Sequence, residues 1–313
     1  MLHLLRYGIY CPTAHNTSSA LSVYPHDTGL NLRIILSFAV LTMLYLVFIG
    51  VLFYLGVGFI PIMAIASVMI LAQYYFSDKI VMWSSGAKLV TREQEPKLYA
   101  TVEKVALQGG LPMPKVAVMN TAVPNAFATG KSQKSSVVAV TSGLMSTLDD
   151  AELEGVVAHE MAHIKHRDVL VLTLASLFST VAFFLMRYAL FGSMYGGRSR
   201  DNGGGMIIVL VVAGVTWFVS FLIIRAISRY REFAADRGGA QMTGRPDMLA
   251  SALLKISGKM KAVPQKQKMD VESLNQFFII PALSGGALSR LFSTHPPVEE
   301  RVRRLKEMQS LLE

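Results

Sequence analysis

Two histidines and a glutamate with the spacing H-E-x-x-H form the most distinctive chemical pattern in the sequence, at His159, Glu160 and His163. On a helix, positions four residues apart lie on one face, so both imidazoles can bind a single metal ion. Glu160 is offset by about 100° and can reach a water on that ion without binding the metal itself. Zinc lowers the pKa of such a water to about 7, and a neighbouring carboxylate can take its proton. The pattern predicts a catalytic zinc site with Glu160 as general base.

Catalytic zinc sites usually have three protein ligands and one open position, so a third ligand must come from elsewhere in the chain. The metzincin motif would need glycine at position 166 and histidine at position 169, but the sequence has His166 and Val169, which excludes that class. A glutamate from a second helix is the alternative, and Glu232 lies among apolar residues shortly after an apolar segment. An ion pair of Glu232 with Arg229 or Arg231 is the competing interpretation. With H-E-x-x-H present, the sequence favours Glu232 as third ligand of one zinc ion per chain.

Two aspartates and a further histidine lie near these candidates. Asp236 is one helical turn after Glu232 and could orient a histidine ligand through the second ring nitrogen. His166 lies three residues after His163, on a neighbouring part of the same helix face. A third histidine ligand at that position would need a different motif, so we predict a structural role for His166, paired with Asp168.

The segments that must position these residues have the patterns of an α+β domain. The acidic pair Asp149-Asp150 opens a helix at its positively polarised end. Its apolar pattern predicts one helix that runs through the H-E-x-x-H motif directly into the next apolar segment. Residues 93–108 have the spacing of an amphipathic helix, which Gly109-Gly110 ends. Two short strand-like runs, joined by residues 124–134, complete the domain: residues 115–120 and 136–141.

The composition of the chain indicates a membrane protein. Of its 313 residues 52% are hydrophobic and only 16% are charged, whereas soluble domains carry about 25% charged residues. The net charge of +9 is typical of nucleic-acid-binding proteins, but it fits equally well the basic cytoplasmic flanks of membrane helices. Given the apolar content, we expect a lipid bilayer and no nucleic acid as partner. The one cysteine, Cys11, excludes an intramolecular disulfide.

Four uncharged segments are predicted to span the membrane. Residues 34–76 contain no charged residue, and one helix of that length would be about twice as long as the hydrocarbon core is thick. Gly56, Gly58 and Pro61 lie near the middle, so we predict a hairpin there. The second pair of segments is close to the minimum spanning length, and a buried or re-entrant hairpin is the alternative. The predicted spans are residues 34–55, 57–76, 169–186 and 206–224.

The basic residues predict the orientation of the chain. Lys79, Lys88 and Arg92 follow the second span, and Arg225 and Arg229 follow the fourth. The positive-inside rule then places residues 77–168 and 225–313 in the cytoplasm, as two halves of one catalytic part. Residues 34–76 and 169–224 form two membrane hairpins. Residues 1–33 have no helical periodicity and no signal-peptide pattern, and we expect a poorly ordered extension.

Several motifs in order resemble those of the HtpX-type membrane zinc metallopeptidases, relatives of the CAAX prenyl endopeptidases. The resemblance covers about Leu30 to the C-terminus, and the joint order of the motifs is far more specific than any one of them. The motifs are Pro-Asn-Ala-Phe-Ala-Thr-Gly at 124–130, His-Glu-Met-Ala-His at 159–163, His-Arg-Asp at 166–168, Arg-Glu-Phe-Ala-Ala-Asp at 231–236 and Ser-Thr-His-Pro-Pro at 293–297.

The resemblance implies a role for individual residues. It implies zinc binding by His159, His163 and Glu232, with Glu160 as general base. Asn125 and Ala126 would line the substrate cleft, beside a strand edge that pairs with an extended peptide. His295 and Arg301 would approach the oxyanion of the tetrahedral intermediate. From the residues alone, His295 before Pro296-Pro297 forms a rigid turn that suits a positioned group, but a solvent-facing histidine fits equally well.

The sequence therefore predicts a mostly α membrane protein with about four transmembrane helices and a cytoplasmic α+β, zincin-like metalloprotease domain. The resemblance implies an endopeptidase of the cell membrane that cuts misfolded or damaged membrane proteins on the cytoplasmic side, in stress response and protein quality control. The alternatives are a non-proteolytic membrane adaptor stabilised by zinc, and a prenyl-protein endopeptidase. An intact Glu160 argues against the adaptor, since a structural zinc site does not use that carboxylate.

Overall fold

The structure, a computed structural model, describes residues 28–54, 60–195, 203–264 and 295–312. In chain order its elements are α1 (Thr28–Tyr54), α2 (Ile60–Ser85), β1 (Lys88–Leu89), α3 (Pro96–Gly109), β2 (Lys115–Met119), β3 (Ala126–Thr129), β4 (Val137–Thr141), α4 (Ser142–Met145), α5 (Asp150–His166), α6 (Asp168–Tyr195), α7 (Gly203–Thr243), α8 (Pro246–Ala262) and α9 (Val298–Gln309).

Three of the described helices are long and apolar enough to cross a membrane: α1, α6 over Asp168–Arg187, and α7 over Ile207–Thr243. Helix α2 contains a shorter apolar stretch, Met63–Phe76, so a fourth span there remains a prediction. Residues 28–33 belong to α1, which therefore begins before the predicted start at residue 34. The rest of the predicted extension, and Gly56 and Gly58 of the first hairpin, lie outside the described residues.

Side chains from all four long helices meet in one buried apolar cluster. It includes Phe48 and Leu52 of α1, Ala66 of α2, Leu185 of α6 and Ala213 of α7. Large apolar side chains on other faces of these helices are exposed, and an exposed apolar surface of this extent is stable in lipid and not in water. The protein is therefore a membrane protein. Examples of the exposed side chains are Ile35, Met43, Phe53, Ile65, Val68, Ile207 and Val211.

Helix α7 is much longer than a membrane is thick. Its 41 residues correspond to about 62 Å, against about 30 Å for the hydrocarbon core. The uncharged part, residues 206–224, is sufficient to span, and residues 225–243 carry arginines and acidic residues. The second half of the helix must therefore extend beyond the apolar layer, as one continuous rod with the first half.

A small mixed sheet lies beside the helices. Its strand order is β1–β2–β4–β3, with β2 and β4 parallel and both edge strands antiparallel to their neighbours. Strands β2 and β4 confirm the two predicted strand-like runs. The connection between them is not only a loop, because it contains β3, which pairs Ala126 with Val140 and Thr129 with Val137. The order places β3 at one edge of the sheet.

The core of the domain lies between this sheet and helices α3, α5, α8 and α9. It includes Val102, Val138, Val156, Leu253 and Leu305, all nearly inaccessible to solvent. The predicted amphipathic helix corresponds to α3, and it ends as predicted, because Gly110 has φ 64° and its N–H donates to the carbonyls of the last turn. These contacts fix helix α5, which carries the H-E-x-x-H motif, against the sheet.

Both ends of α5 are defined by local structure. The Asp149 carboxylate accepts a hydrogen bond from the Glu152 N–H, and the Glu152 carboxylate accepts one from the Asp149 N–H, which completes a capping box. At the other end Arg167 has φ 56°, and its N–H donates to the carbonyls of His163 and Ile164. The prediction of one helix running through the motif into the third span is therefore wrong. The chain turns at Arg167 and begins a new helix, α6, at Asp168.

Candidate active site

Helices α5 and α7 cross with three potential metal ligands at the crossing. His159 and His163 lie one turn apart on α5, and Glu232 faces them from α7. The two Nε2 atoms are 3.2 Å apart. Glu232 approaches each of them, with Oε2 3.6 Å from His159 Nε2 and Oε1 3.4 Å from His163 Nε2. His159 and Glu232 are buried, and His163 is partly buried.

This spacing fits a zinc ion. Two ligand atoms that each lie 2.0–2.1 Å from a tetrahedral zinc ion are about 3.3 to 3.4 Å apart. The two Nε2 atoms are 3.2 Å apart, and the two histidines approach different oxygens of Glu232, at 3.4 and 3.6 Å, so each separation is close to that value. Two imidazoles and one carboxylate are also a donor set that zinc takes in catalytic sites. The residues could therefore hold zinc without a rearrangement of either helix.

Each histidine is oriented by an aspartate on its other ring nitrogen. His159 Nδ1 lies 2.9 Å from Asp236 Oδ1, and His163 Nδ1 lies 2.6 Å from Asp168 Oδ2. An Nδ1–H donated to a carboxylate leaves Nε2 unprotonated and available to a metal. The Asp236 carboxylate therefore lies against the His159 ring, and its role in orienting a ligand stays a prediction. The predicted pairing of Asp168 with His166 is wrong, because Asp168 accepts from His163 and forms an ion pair with Arg231.

The ion pair between Arg231 and Asp168 also bears on the competing interpretation of Glu232. Arg231 contacts the carboxylate at the start of α6 and donates a hydrogen bond to the carbonyl of His166. Glu232 contacts the two histidines, His295 and Arg301 instead. Its carboxylate therefore faces the crossing of the two helices.

Helix α9 and the turn before it bring two more predicted residues to the site. His295 Nδ1 is 3.1 Å from Glu232 Oε2. Arg301, only 1% exposed, donates to both oxygens of Asp236, at 2.8 and 2.6 Å, and lies 3.4 Å from Glu232 Oε2. The Arg301 guanidinium therefore contacts both Asp236, which orients His159, and the candidate ligand Glu232, and the His295 side chain contacts Glu232 as well.

Burial controls the electrostatics of the general-base candidate. Glu160 is 5% exposed, and burial raises the pKa of its carboxyl, although the neighbouring His159 and His163 oppose this. Burial also lowers the pKa of His159, but hydrogen bonds to Asp236 and Glu232 outweigh it and raise the pKa to about 9. For Glu232, burial is outweighed by His295 and His159, which hold the pKa of its carboxyl well below the usual range. A carboxyl with a raised pKa is suited to taking up a proton near neutral pH.

Edge strand β3 passes close to Glu160. The backbone N–H of Ala128 hydrogen-bonds to the Glu160 carboxylate. Asn125 and Ala126, predicted to line a substrate cleft, are themselves buried. The Asn125 N–H donates to the Thr141 side-chain oxygen, and the Thr141 N–H donates to the Asn125 carbonyl. In the described part of the chain, the residues of this strand that line the cavity at the site are Phe127, Ala128 and Thr129.

Comparison with known proteins identifies the family. The family model described as peptidase family M48 matches residues 92–309, which include every residue of the site. The chain belongs to peptidase family M48. It is 50% identical over 287 residues to "Protease HtpX homolog 2" of Methanosarcina mazei, an alignment that covers 91% of this chain and 97% of that protein. It is 48% identical to "Protease HtpX homolog" of Moorella thermoacetica, with 92% and 97% covered.

A solved structure agrees at the level of the fold. The crystal structure of Ste24p from S. mikatae superposes with a TM-score of 0.55 at 19% sequence identity, covering 91% of this chain and 67% of that chain. Identity this low shows a shared fold and no more. Together with the apolar helices and the ligand spacing, M48 membership confirms the predicted class: this chain is a membrane-embedded zinc metallopeptidase.

Two adjacent glycines of this M48 peptidase belong to the site and were missed from the sequence. A Cβ on Gly239 would lie 2.8 Å from the backbone nitrogen of His159, and a Cβ on Gly238 would lie 2.9 Å from Cβ of Ala162. Helices α5 and α7 therefore touch backbone to backbone at the first histidine ligand. The available signal was a Gly-Gly pair inside a helical pattern, which marks a close approach when it does not end the helix.

Proposed function

We propose that this peptidase cleaves misfolded or damaged membrane proteins and unfolded proteins on the cytoplasmic face of the cell membrane, as part of protein quality control. The observation that carries the proposal is the position of the His159, His163 and Glu232 group. It opens into a cavity whose walls include the membrane helices α2, α6 and α7. The high identity to proteins named HtpX proteases supports the same role. A site so placed can reach peptide segments that emerge from a bilayer.

The proposed chemistry assigns one task to each group. His159, His163 and Glu232 hold the metal, and a bound zinc ion would supply Lewis-acid polarisation of the carbonyl and acidification of water. Glu160 takes the proton of the attacking water on its carboxylate and later delivers it to the leaving amine nitrogen. The N–H of Ala128 keeps that carboxylate in position.

Edge strand β3 is the proposed docking edge for substrate. Because β3 is the last strand of the sheet, one of its edges pairs with no other described strand, and we propose that an extended peptide adds there as a further strand. Asn125 and Ala126 fix the start of that strand through Thr141 and Val140. Peptide bound along β3 would pass Glu160, which Ala128 contacts.

Two residues of the α9 region complete the proposed site. We assign His295, which lies against Glu232, to the carbonyl oxygen that becomes negatively charged during attack. Arg301 contacts Asp236 and the His159 ring, so its proposed task is to position these groups while its charge favours the same oxyanion. Asp236 holds the tautomer of His159.

The orientation rests on the distribution of positive charge. Lys79 and Lys88 follow the apolar stretch of α2, and Arg225 and Arg229 follow the apolar part of α7, on the side where the catalytic residues lie. Cytoplasmic loops are enriched in lysine and arginine, which favours a cytoplasmic active site.

The test is cleavage by the zinc-loaded Glu160→Gln variant. A purified membrane protein, unfolded by heat in detergent, is incubated with wild type, with Glu160→Gln and with the surface control Glu103→Gln. We expect the rate to fall about 10²- to 10⁴-fold in Glu160→Gln only, with zinc content and helical content unchanged. Cleavage by Glu160→Gln at the wild-type rate contradicts the assignment.

The same assay separates the two alternatives. An adaptor stabilised by zinc would bind one zinc per chain and leave every substrate intact. A prenyl-protein endopeptidase would cut a prenylated peptide and leave its unprenylated copy and the unfolded membrane protein uncut. We expect cleavage of the unfolded membrane protein without any prenyl group.

A further inference from the structure

The cavity at the active site continues towards the membrane part of the protein. Its volume is about 650 Å³, and it is lined at one end by the metal-ligand group and at the other by Gln73 of α2, Ser176 of α6 and Phe221 of α7. On α2 the lining extends from Ser84 to Gln73, eleven residues or about 16 Å along the helix. The cavity is therefore long enough to hold several residues of a peptide beyond the scissile bond.

One stripe of helix α7 forms a wall of this cavity. Phe221, Arg225, Ser228 and Glu232 all line it, at successive spacings of four, three and four residues, so their side chains lie on one face. Seven residues separate Arg225 from the metal ligand Glu232, which is about 10 Å along the helix and almost two complete turns. Arg225 thus projects into the same cavity as the ligand, about two turns closer to the membrane.

Three cations that line the cavity have no acidic partner among the described residues. Lys131, Arg167 and Arg225 line the cavity, and none of them forms an ion pair with a described residue. The fourth lining cation, Arg231, is neutralised by Asp168. Unpaired positive charge on a cavity wall attracts an anionic ligand.

Among these cations, Arg225 has the most clearly fixed side chain and a buried donor. Its guanidinium carbon lies 4.4 Å from the centre of the Phe221 ring, which holds the side chain against the wall. Its Nε is buried and has no hydrogen-bond partner among the described residues. A guanidinium presents a planar set of donors that matches a carboxylate, and a buried donor without an acceptor is unfavourable until one arrives.

We propose that Arg225 is a specificity residue that binds a carboxylate of the substrate, two or three residues from the scissile bond. Arg225 and Glu232 are about 10 Å apart along α7, which corresponds to three residues of extended peptide at about 3.4 Å each. Because the side chains of arginine and of the substrate residue are long, a carboxylate only two residues from the scissile bond is also within reach. The inference rests on the proposed peptidase function and adds a substrate class to it. The carboxylate comes from an aspartate or glutamate side chain or from a free C-terminus.

A phospholipid phosphate is the competing occupant, since arginines at the ends of spanning helices often reach the headgroups. The position of Arg225 favours peptide, because Arg225 lines the same cavity as His159, Glu160 and Glu232. A ligand held there lies against the catalytic groups and within reach of an extended substrate.

The experiment measures binding first, so that it does not depend on turnover. Zinc-loaded Glu160→Gln protein in neutral detergent is titrated with ten-residue leucine-alanine peptides that carry a fluorophore. Each peptide has Glu, Gln or Lys at one position, from three residues before to three residues after the central bond, with a free or amidated C-terminus. The same peptides are measured with Arg225→Gln, with Arg225→Glu, and with Arg229→Gln, an arginine one turn along α7 that does not line the cavity.

We expect one or two positions at which Glu binds about tenfold more tightly than Gln. Arg225→Gln removes that preference, Arg225→Glu shifts it to Lys, and Arg229→Gln keeps it. Dependence on the free C-terminus alone identifies the terminal carboxylate as the source. The gain of Lys binding in Arg225→Glu requires a folded site, so it also excludes simple misfolding as the cause of the loss.

Two results overturn the inference. Equal binding of Glu and Gln peptides at every position removes the carboxylate subsite. The second result is a Glu preference that persists in Arg225→Gln. If anionic vesicles strengthen peptide binding to the wild-type Arg225 protein more than zwitterionic vesicles do, and this difference is lost in Arg225→Gln, Arg225 binds a lipid phosphate. Cleavage of the same peptides is measured separately, with proteins that retain Glu160. If these proteins bind peptide in an Arg225-dependent way but cleave none, the proposed function is refuted and the subsite is not.

Discussion

Substitution of Gly239 by alanine tests whether the crossing of α5 and α7 sets the geometry of the metal site. Gly239 is seven residues after Glu232 on α7, and an added Cβ would meet the His159 nitrogen at 2.8 Å and the Ala158 carbonyl carbon at 3.1 Å. Both are backbone atoms of α5, so no side chain can rotate away. The two helices would have to separate at the first histidine ligand.

The required movement can be worked out from these distances. Ordinary contacts of a Cβ begin at 3.4 Å, so the helices must separate by 3.4 − 2.8 = 0.6 Å or more. Ligand distances in functional metal sites hold within about 0.2 Å, so we expect zinc affinity to fall at least about tenfold. Overpacking costs about 1 to 3 kcal/mol, which the better helix propensity of alanine, about 1 kcal/mol, offsets in part.

The assay is competition for zinc against a chelator of known affinity, with thermal unfolding of the same samples in detergent. The matched control is Gly258→Ala on α8, where nothing lies within 4 Å of the added Cβ. We expect the control to keep wild-type zinc affinity and to gain about 0.5 to 1 kcal/mol of stability. If Gly239→Ala behaves like Gly258→Ala in both measurements, the argument that backbone contact positions His159 is refuted.

Two further substitutions probe the groups around the ligands. Asp236→Asn removes the carboxylate that accepts two hydrogen bonds from buried Arg301 and leaves Glu232 Oε2, at 3.4 Å, as an acidic neighbour. We expect a loss of about 3 kcal/mol in unfolding free energy and a 10- to 100-fold loss in zinc affinity by chelator competition. Burial and the charge of Arg231 lower the pKa of His166 to about 4. Its neutral form therefore favours the folded state fully above about pH 6.5, and this contribution is lost as pH falls towards 4. Between pH 7 and pH 5, the unfolding free energy of His166→Gln should therefore fall by about 1 to 2 kcal/mol less than that of wild type. Parallel curves of unfolding free energy against pH for the two proteins would contradict this.

The sequence predicted those parts of the molecule that depend on local pattern. The H-E-x-x-H motif, the acidic start of α5, the Gly110 end of α3 and the apolar segments each follow from spacing or composition within a few residues. That Asp236 lies near a histidine of the motif was expected from the one helical turn between it and Glu232, but the sequence did not indicate that this histidine is His159.

Contacts between elements distant in sequence could not be predicted in this way. The contact of Asp168 with His163 depends on a turn of the backbone at Arg167, and residues other than glycine rarely adopt φ 56°. Spacing along a helix instead suggested His166 as the partner. Strand β3 was missed because Ala-Phe-Ala-Thr is short and poor in β-branched residues, so its pairing with β4 decides its conformation.

The turn at Arg167 has a consequence for how the site relates to the membrane. Helix α7 carries Glu232 on the same continuous rod as its apolar part, so a tilt of that span moves the third ligand directly. Helix α5 carries both histidines but is separated from span α6 by the left-handed residue Arg167, and Asp168, the first residue of α6, binds His163. Movement of α6 therefore reaches the histidines through the backbone turn at Arg167 and through the hydrogen bond between Asp168 and His163. The ion pair of Asp168 with Arg231 connects the same carboxylate to α7. Because both spans pack against each other and also share this carboxylate, they can shift together without changing the ligand spacing, and a relative movement of α6 and α7 would alter it.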